Sequence, residues 1–390
     1  MRSGSRSSRA CKVTRSAAGG VLGLMLLIAG PGLASGRHAH GPVGHVFLIV
    51  LENQSFDATF GPGSRAPYLA RTLTREGLLL RQYYAIGHNS LDNYIALVSG
   101  QAPNQDTQND CWQYIEFEPA HPRLDAHGQA LGRGCVYPRL VKTLPDQLEA
   151  EHLSWKGYME DMGKDPTRES RTCARPPLGS VGSLQLATPT DQYAVKHDPF
   201  VYFHSIIDAV ARCNAHVVAL DELPRDLASA RTTPSYVFIT PNLCHDGHDA
   251  PCADGEPGGL VSTDAFLRKW VPLLTHSEAF QRDGLLIVTF DESSFEGPEM
   301  AAACCNEQPL PGARLPPGIG GPGGGRIGAV LLSPFLPRGV SSEVPYNHYA
   351  LLRSIESIFG LEPLGYAADP RLRTLDADFL SSSAVRRAGW

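Results

Sequence analysis

Acidic residues stand directly after two apolar runs of this sequence. Glu52, with Asn53 beside it, follows VFLIV, and the pair Asp291 and Glu292 follows LLIVTF. A single carboxylate after a strand is usually a helix N-cap or a loop residue. Carboxylates that converge at one end of a sheet repel each other unless a cation lies between them. The repeated arrangement therefore favours a divalent metal ion, for which Ca, Mg, Mn and Zn are all suitable.

Further titratable residues follow a third apolar run, SYVFIT, and occur near the C-terminus. The segment PNLCHDGHDAPC carries Asp246 and His248, and the segment VPYNHYALLRSIE near the C-terminus carries His348. A lone histidine usually makes a structural hydrogen bond. Imidazole has an unperturbed pKa of about 6.5, so it is also suited to protonating a leaving group or holding a phosphate. The candidates for these roles are His88, His197, His248 and His348.

Ser90 stands at the head of an apolar helical pattern in GHNSLDNYIALVSG. At a helix N-terminus, free backbone N–H groups and the helix dipole attract an anion. A serine in this place is also a common N-cap. Spacing alone therefore leaves a functional serine and a simple cap as alternatives.

Apolar runs predict strands, and amphipathic patterns between them predict helices. The strand runs are 46–50, 235–240, 285–290 and 327–333, and the helical patterns are DNYIALVSG, LPDQLEAEHLSWKGYM, DAFLRKWVPLLTHSEAF and YALLRSIESIFG. Apolar strands that alternate with helices indicate an α/β fold around a largely parallel sheet, whose working residues follow the C-terminal ends of strands. The irregular segments 101–135 and 163–190 are expected to be loops over the site, and 309–328 a Gly/Pro connector.

The whole chain has 390 residues and a formal net charge of −6. This charge gives no basic footprint, so nucleic acid is not expected as a partner. Residues 1–36 combine basic residues, an apolar run and small residues, which is the pattern of a cleaved signal peptide. An uncleaved anchor is the alternative, but the apolar run is short and rich in glycine for a bilayer span. We expect a secreted or periplasmic protein without a permanent membrane anchor, in which 37–390 form one domain.

Eight cysteines follow the expected cleavage site: Cys111, Cys135, Cys173, Cys213, Cys244, Cys252, Cys304 and Cys305. An even number in an exported protein indicates disulfides, although the sequence leaves their pairing open. Cys304 and Cys305 could pair with each other or with two distant partners. A zinc–thiolate site is the weaker alternative because the sequence contains no CxxC pair.

Together these segments resemble the bacterial phosphoesterase family of secreted acid phosphatases and phospholipases C, itself similar to the alkaline phosphatase superfamily. The matching motifs run in family order and are ENQSFDATFG, HNSLDNYIALVSG, KHDPFVYF, PNLCHDGHD, DAFLRKWVP, TFDES and YNHYALLRSIESIFGL. The resemblance implies an alkaline phosphatase-like three-layer α/β sandwich with a largely parallel central sheet. It implies that Ser90 is a nucleophile and that Asn93 binds the phosphate. The metal ligands that it implies are Glu52, Asn53, Asp291 and Glu292.

Two features of the chain depart from the family pattern. Many members have prolines flanking the serine, where this chain has Asn89 and Asp92, so local geometry and specificity could differ. Relatives with two metals hold the second ion with Asp-x-x-x-His and a distant histidine, whereas DGH gives a shorter spacing. Asp246, His248 and His348 could hold a second metal, or they could bind phosphate or transfer protons.

The resemblance implies a hydrolase in which Ser90 attacks phosphorus, the alcohol leaves and water frees the phosphate. A phosphomonoesterase is favoured, with small phosphate esters, phosphoinositides among them, as substrates. A phospholipase C-type phosphodiesterase is the second hypothesis. It ranks second because the family's phospholipases tend to carry additional C-terminal domains, whereas this chain ends soon after its last motif. A non-catalytic phosphate-ester-binding protein is disfavoured because Ser90 and both acidic pairs are present. A sulfatase is disfavoured because no C/S-x-P-S/A-R motif surrounds Ser90.

Overall fold

A computed structural model describes residues 41–380, which form twelve strands and ten α-helices. The expected signal peptide, 1–36, lies outside these residues, and the extent of the domain, 37–390, stays a prediction. The strands are β1 His45–Leu51, β2 Leu78–Leu80, β3 Tyr83–Tyr84, β4 Glu118–Pro119, β5 Gly132–Arg133, β6 Trp155–Met159, β7 Val217–Ala219, β8 Tyr236–Thr240, β9 Gly284–Phe290, β10 Ala329–Leu332, β11 Val340–Ser342 and β12 Tyr346–Asn347. The helices are α1 Phe56–Phe60, α2 Thr74–Glu76, α3 Ser90–Ser99, α4 Leu144–Ala150, α5 His204–Ile207, α6 Val210–His216, α7 Leu223–Asp226, α8 Gly259–Thr275, α9 Glu278–Asp283 and α10 His348–Phe359.

Eight strands form the central sheet, in the order β11-β2-β10-β9-β1-β8-β6-β7. The strand β1 pairs in parallel with β8 on one side and β9 on the other. The strand β10, which contains the predicted run 327–333, is antiparallel to both of its neighbours. Every residue of β1 and β9 is buried, which is why these strands appear in the sequence as unbroken apolar runs. The predicted largely parallel sheet is confirmed.

Two groups of helices flank the sheet. The helices α3, α4 and α10 contact one another, whereas α8 contacts α9 and both contact β9. Their apolar sides share one hydrophobic core with the strands. The predicted α/β sandwich is confirmed. Within residues 41–380, every helix is too short or too polar to cross a bilayer.

The prediction of one helix over LPDQLEAEHLSWKGYM is wrong in its second half. The helix α4 begins with a capping box between Thr143 and Asp146, and it ends at Ala150. His152 then adopts a positive φ of 57°, and the chain enters β6 between β8 and β7. A strand of five residues is too short for its period to be distinguished from the helical spacing that precedes it.

All eight cysteines within residues 41–380 form disulfides, as predicted. The pairs are Cys111–Cys135, Cys173–Cys213, Cys244–Cys252 and Cys304–Cys305. The two adjacent cysteines therefore bond to each other, which was one of the two alternatives. The first bridge closes the irregular segment 101–135, and the second ties the segment 163–190 to α6.

We expect mass spectrometry of the mature protein under non-reducing conditions to find all eight cysteines oxidised in these four pairs. Cys111–Cys135 and Cys173–Cys213 close the longest loops, with sequence separations of 24 and 40, so the loss of either should destabilise the protein by about 2–4 kcal/mol, whereas Cys304–Cys305 joins adjacent residues and should contribute little. Reduction followed by alkylation provides the control. Eight thiols that alkylate freely without a reductant would contradict the pairing.

Candidate active site

The candidate site lies at the C-terminal edge of three adjacent parallel strands. Because β9, β1 and β8 are neighbours and run in the same direction, the residues that follow them meet. Glu52 follows β1, and its backbone N–H donates to the carbonyl of Asp246 in the loop after β8 (2.9 Å). Asn53 N–H donates to the Asp291 carboxylate directly after β9 (3.1 Å). The strand ends therefore bring together the acidic residues that the sequence analysis singled out.

Ser90 is the first residue of α3 and contacts this acidic edge. Its Oγ donates a hydrogen bond to Glu52 Oε1, with an oxygen–oxygen distance of 2.5 Å, and its side chain is buried. The preceding residue, Asn89, has a positive φ of 70°, and its backbone N–H donates to Glu292 Oε2 (2.8 Å). The hydroxyl of Ser90 is consequently placed beside the carboxylates instead of capping its own helix.

Three predicted metal ligands are close enough to share a cation. Glu52, Asp291 and Glu292 each offer an oxygen, and these oxygens lie within 4.8 Å of one another. Glu52 Oε2, Asp291 Oδ2 and the amide oxygen of Asn53 are buried and accept no hydrogen bond in the described part of the chain. Buried oxygens without donors are costly unless an ion binds them. This donor set fits a divalent cation with oxygen ligands.

The electrostatics of the buried carboxyls also fit a cation. Burial, followed by the charge of Glu52, raises the pKa of both Asp291 and Asp246 well above its usual range. Burial raises the pKa of Glu292 to about 7. Burial would raise the pKa of Glu52 as well, but the adjacent His197 lowers it below its usual value. A bound cation would stabilise the ionised form of all four groups.

His197 lies between two carboxylates on the other side of Glu52. Its Nε2 is 2.6 Å from Glu52 Oε2 and its Nδ1 is 3.4 Å from Asp246 Oδ2, but neither contact has hydrogen-bond geometry. The ring of Tyr94 stacks on the imidazole at 5.2 Å. Glu52, His197 and Asp246 also offer ligand atoms within 4.8 Å of one another, so this position suits either an ion pair or a second cation.

The three residues predicted for a possible second metal site, Asp246, His248 and His348, do not all offer ligand atoms to one point. The Asp246 side chain lies with Glu52 and His197, whereas the imidazoles of His248 and His348 make other contacts, although the backbone N–H of His248 donates to Asp246 Oδ1 (2.9 Å). His348 is buried, with Nε2 2.6 Å from the backbone oxygen of Asp291 and Nδ1 3.1 Å from the Tyr83 hydroxyl. Both ring nitrogens are therefore occupied, and burial lowers the pKa of His348 to about 4.

His248 lies at the outer side of the site. Its side chain is 39% exposed, which leaves it accessible to a substrate. Its Nδ1 is 2.7 Å from Asp249 Oδ1, and this hydrogen bond raises the pKa of His248 to about 9. The charges of Glu52 and Asp246 contribute to this increase in the pKa of His248. His248 is therefore a positively charged group near the carboxylates at neutral pH.

His88 and Asn93 make structural contacts around Ser90. His88 Nδ1 is 2.7 Å from Glu292 Oε2, and Nε2 is 2.6 Å from the backbone oxygen of Met300. Burial would lower the pKa of His88, but the Glu292 carboxylate raises it above its usual value. Asn93 accepts from the backbone N–H groups of residues 86 and 87 and donates to the carbonyl of Gly87 (3.1 Å). In this arrangement both side chains form hydrogen bonds within the protein. Their predicted contacts with substrate stay predictions.

Two residues of the site were not among the predicted catalytic, substrate-binding or metal residues. Lys196 donates to Asp110 Oδ2 (3.2 Å), and Asp110 Oδ1 accepts from the backbone N–H of Leu91 in the first turn of α3. Burial would lower the pKa of Lys196, but Asp110 and Glu52 keep it above its usual value. Lys196 directly precedes the predicted site residue His197 in the motif KHDPFVYF, and this position could have identified Lys196 as a site residue. Asp110 lies in an irregular loop, where no pattern pointed to it.

The fold and the site together define an α/β protein with a serine hydroxyl set against buried carboxylates. The sequence matches the Phosphoesterase family over residues 64–362, so the chain belongs to this family. It is 26% identical over 321 residues to the phosphate-repressible acid phosphatase of Penicillium chrysogenum, covering 81% of this chain and 59% of that protein. It is 25% identical over 325 residues to the phosphatidylinositol-3-phosphatase of Mycobacterium tuberculosis, covering 83% of this chain and 80% of that protein. The chain spans 59% or less of the length of the fungal acid phosphatases that it matches.

Solved structures with a similar arrangement are more distant. A protein of the alkaline phosphatase superfamily from Vibrio parahaemolyticus aligns with a TM-score of 0.46 and 11% identity, covering 82% of this chain and 67% of that chain. The lipoteichoic acid synthase LtaP of Listeria monocytogenes aligns with a TM-score of 0.47 and 10% identity, covering 86% and 75%. Similarities at this level carry no argument about activity.

Proposed function

We propose that this chain is an exported, metal-dependent phosphomonoesterase that works through a phosphoserine at Ser90. The observation that carries the proposal is the 2.5 Å hydrogen bond from Ser90 Oγ to Glu52 Oε1, which joins a nucleophile to a cluster of buried carboxylates. Membership of the Phosphoesterase family and the acid phosphatase relatives support the same chemistry. The four disulfides support export to an oxidising compartment.

In the proposed reaction, Glu52 orients the nucleophile. A divalent ion bound by Glu52, Asn53, Asp291 and Glu292 would supply positive charge beside the phosphoryl oxygens. The Oγ–P bond forms while the bond from phosphorus to the alcohol oxygen breaks, and the hydroxyl proton of Ser90 is released to water, because Glu52 stays ionised. Water then attacks the phosphoserine on the opposite side and passes a proton to His248, and Ser90 Oγ leaves and takes up a proton from water. The carboxylates would repel the substrate without compensating cationic charge.

Two cationic side chains of this site suit the second negative charge of a monoester. His248 is exposed enough to meet the departing alcohol, and its pKa of about 9 makes it the proposed proton donor to that oxygen. Lys196 is the proposed partner of a phosphoryl oxygen, because its ammonium group is held at the head of α3 by Asp110. His88 is proposed as a positioning residue, since both of its nitrogens are bound to Glu292 and Met300.

We expect the enzyme to hydrolyse p-nitrophenyl phosphate with at least a tenfold higher kcat/KM than bis-p-nitrophenyl phosphate. A tenfold preference equals about 1.4 kcal/mol of differential transition-state binding. Lys196→Met should lower this preference to near unity, because the Lys196 ammonium group is proposed to bind the second negative charge of the phosphoryl group, which only the monoester carries. Lys164→Met is the matched control, since Lys164 is half exposed and pairs only with Asp161 in the described chain.

The same assay separates the two enzymatic hypotheses. A wild-type protein that cleaves bis-p-nitrophenyl phosphate or phosphatidylcholine faster than p-nitrophenyl phosphate would favour the phospholipase C-type hypothesis. A protein that cleaves none of the three after each of Ca, Mg, Mn and Zn has been added would favour the non-catalytic hypothesis.

A further inference from the structure

Exposed apolar side chains concentrate on three loops next to the candidate active site. Of the ten large apolar residues that are exposed within residues 41–380, eight lie in loops between residues 112 and 186 or between 295 and 319. We call six of them the apolar rim: Trp112, Leu178, Val181, Leu186, Leu315 and Ile319. Of the other two, Phe295 stacks on His88 at 4.4 Å, and Leu140 lies in a separate turn. A contiguous patch of exposed apolar side chains is typical of a binding surface.

The residues 108–112 connect this rim to the nucleophile. The side chain of Gln108 donates to the carbonyl of Pro317 (2.5 Å), and Asn89, which precedes Ser90, donates through its side chain to the carbonyl of Gln108 (2.5 Å). The tip that carries Leu315 and Ile319 is therefore two hydrogen bonds away from the residue before the nucleophile.

The opposite part of the rim is fixed through Asp110. Its backbone oxygen accepts from the side chain of Gln185 (3.0 Å), which places Leu186 beside the loop that holds Lys196. The backbone of residues 112–114 pairs with residues 179–182. Trp112, Leu178 and Val181 thus lie on one paired structure that begins at Asp110.

Each part of the rim carries an arginine with no hydrogen bond or ion pair in the described chain. Arg175 is exposed three residues before Leu178, and Arg314 is exposed directly before Leu315. Both guanidinium groups are free to bind an external anion. A planar guanidinium binds phosphate oxygens in pairs, and apolar side chains beside basic ones are typical of proteins that lie on membranes. The rim therefore matches a surface that is both apolar and anionic, although the formal charge of the chain is −6.

We propose that the apolar rim docks this protein on an anionic lipid layer whose phosphate monoester headgroups enter the active site. The inference rests on the proposed phosphomonoesterase function and deepens it by naming an amphiphilic substrate. The rim inserts among the acyl chains next to the substrate, Arg175 and Arg314 bind neighbouring headgroup phosphates, and the headgroup that reaches Ser90 is cleaved.

The binding test uses the Ser90→Ala protein, so that the lipid is not consumed, and vesicles of phosphatidylcholine mixed with phosphatidate. We expect this protein to cosediment with the vesicles, and Leu186→Asp to weaken binding about tenfold, because a charge replaces an inserted side chain. Leu273→Asp is the matched control, because Leu273 is also an exposed leucine (46%). Leu273 lies near the end of α8, and the chain then passes through α9 to the start of β9. This places Leu273 towards the N-terminal edge of the sheet, opposite the candidate site. A second matched pair is Val181→Asp against Val210→Asp, with exposures of 62% and 61%.

The activity test uses the same rim variants with Ser90 intact. We expect Leu186→Asp and Val181→Asp to lower the rate on vesicle-bound phosphatidate about tenfold and to leave kcat/KM for p-nitrophenyl phosphate unchanged. Absence of vesicle binding, or equal losses in rim and control variants, would overturn the rim proposal. Rim variants that turn a dimer into a monomer without changing vesicle binding would assign the surface to a second copy and also overturn it. If wild type binds vesicles through the rim but does not hydrolyse p-nitrophenyl phosphate, the proposed function fails and the rim proposal does not.

Discussion

Replacing Ser90 with alanine is expected to lower kcat for p-nitrophenyl phosphate by about a thousandfold or more, because the covalent route is removed. The fold and the metal content should be retained. The Ser90 hydroxyl makes one side-chain hydrogen bond in the described chain, to Glu52, and alanine is tolerated at the start of a helix. Steady-state kinetics, circular dichroism and elemental analysis of the purified variant measure these three quantities.

Ser99 provides the matched control on the same helix. Ser99 is buried like Ser90, but it lies at the other end of α3 and donates to the carbonyl of Ile95 (2.7 Å). We expect Ser99→Ala to keep its activity within a few-fold of wild type, at a cost in stability of about 1 kcal/mol. A Ser90→Ala protein that keeps most of its activity would show that Ser90 is not the nucleophile.

Changing the carboxylates at the edge of the sheet is expected to remove metal and activity together. Glu52→Gln or Asp291→Asn replaces a charged oxygen ligand with a neutral one, so metal affinity should fall at least about tenfold and kcat/KM should fall with it. In Glu52→Gln, the nucleophile also loses its charged acceptor. Elemental analysis after dialysis and a titration of activity with each metal measure the two effects.

Asp254→Asn is the control for this experiment. Asp254 is an exposed carboxylate outside the cluster; its two oxygens accept from Gln192 (3.0 Å) and from the backbone N–H of Glu256 (3.1 Å), and the asparagine oxygen can keep one of these two hydrogen bonds. Metal content and activity should be unchanged in this variant. Full activity after exhaustive chelation, with no metal detected in the protein, would contradict the proposed metal dependence.

The long buried strands were predictable from the sequence, and the short ones were not. Both β1 and β9 have seven residues, all buried, so each appears as an apolar run followed by acidic residues. The strands β2, β7 and β11 have three residues each, which is too short for a period to appear. Their place in the sheet depends on partners far away in the chain.

The acidic part of the candidate site was predictable for the same reason. Residues after adjacent parallel strands meet at one edge, so Glu52 and Asp291 could be placed together without a structure. The environments of the histidines could not be predicted, because they depend on distant partners such as the carbonyl of Met300 for His88 and the hydroxyl of Tyr83 for His348. The sequence suggested equal roles for these histidines, whereas burial and hydrogen bonding make them different.

The central claim is that the phosphoryl group passes through a covalent bond to Ser90, and the stereochemical course of hydrolysis tests it most directly. A phosphate monoester made chiral at phosphorus with oxygen isotopes would be hydrolysed by the wild-type protein, and the configuration of the released phosphate would be determined. Two successive in-line displacements, by Ser90 and then by water, predict net retention of configuration. Inversion would show that water attacks the substrate directly and would contradict the phosphoserine mechanism.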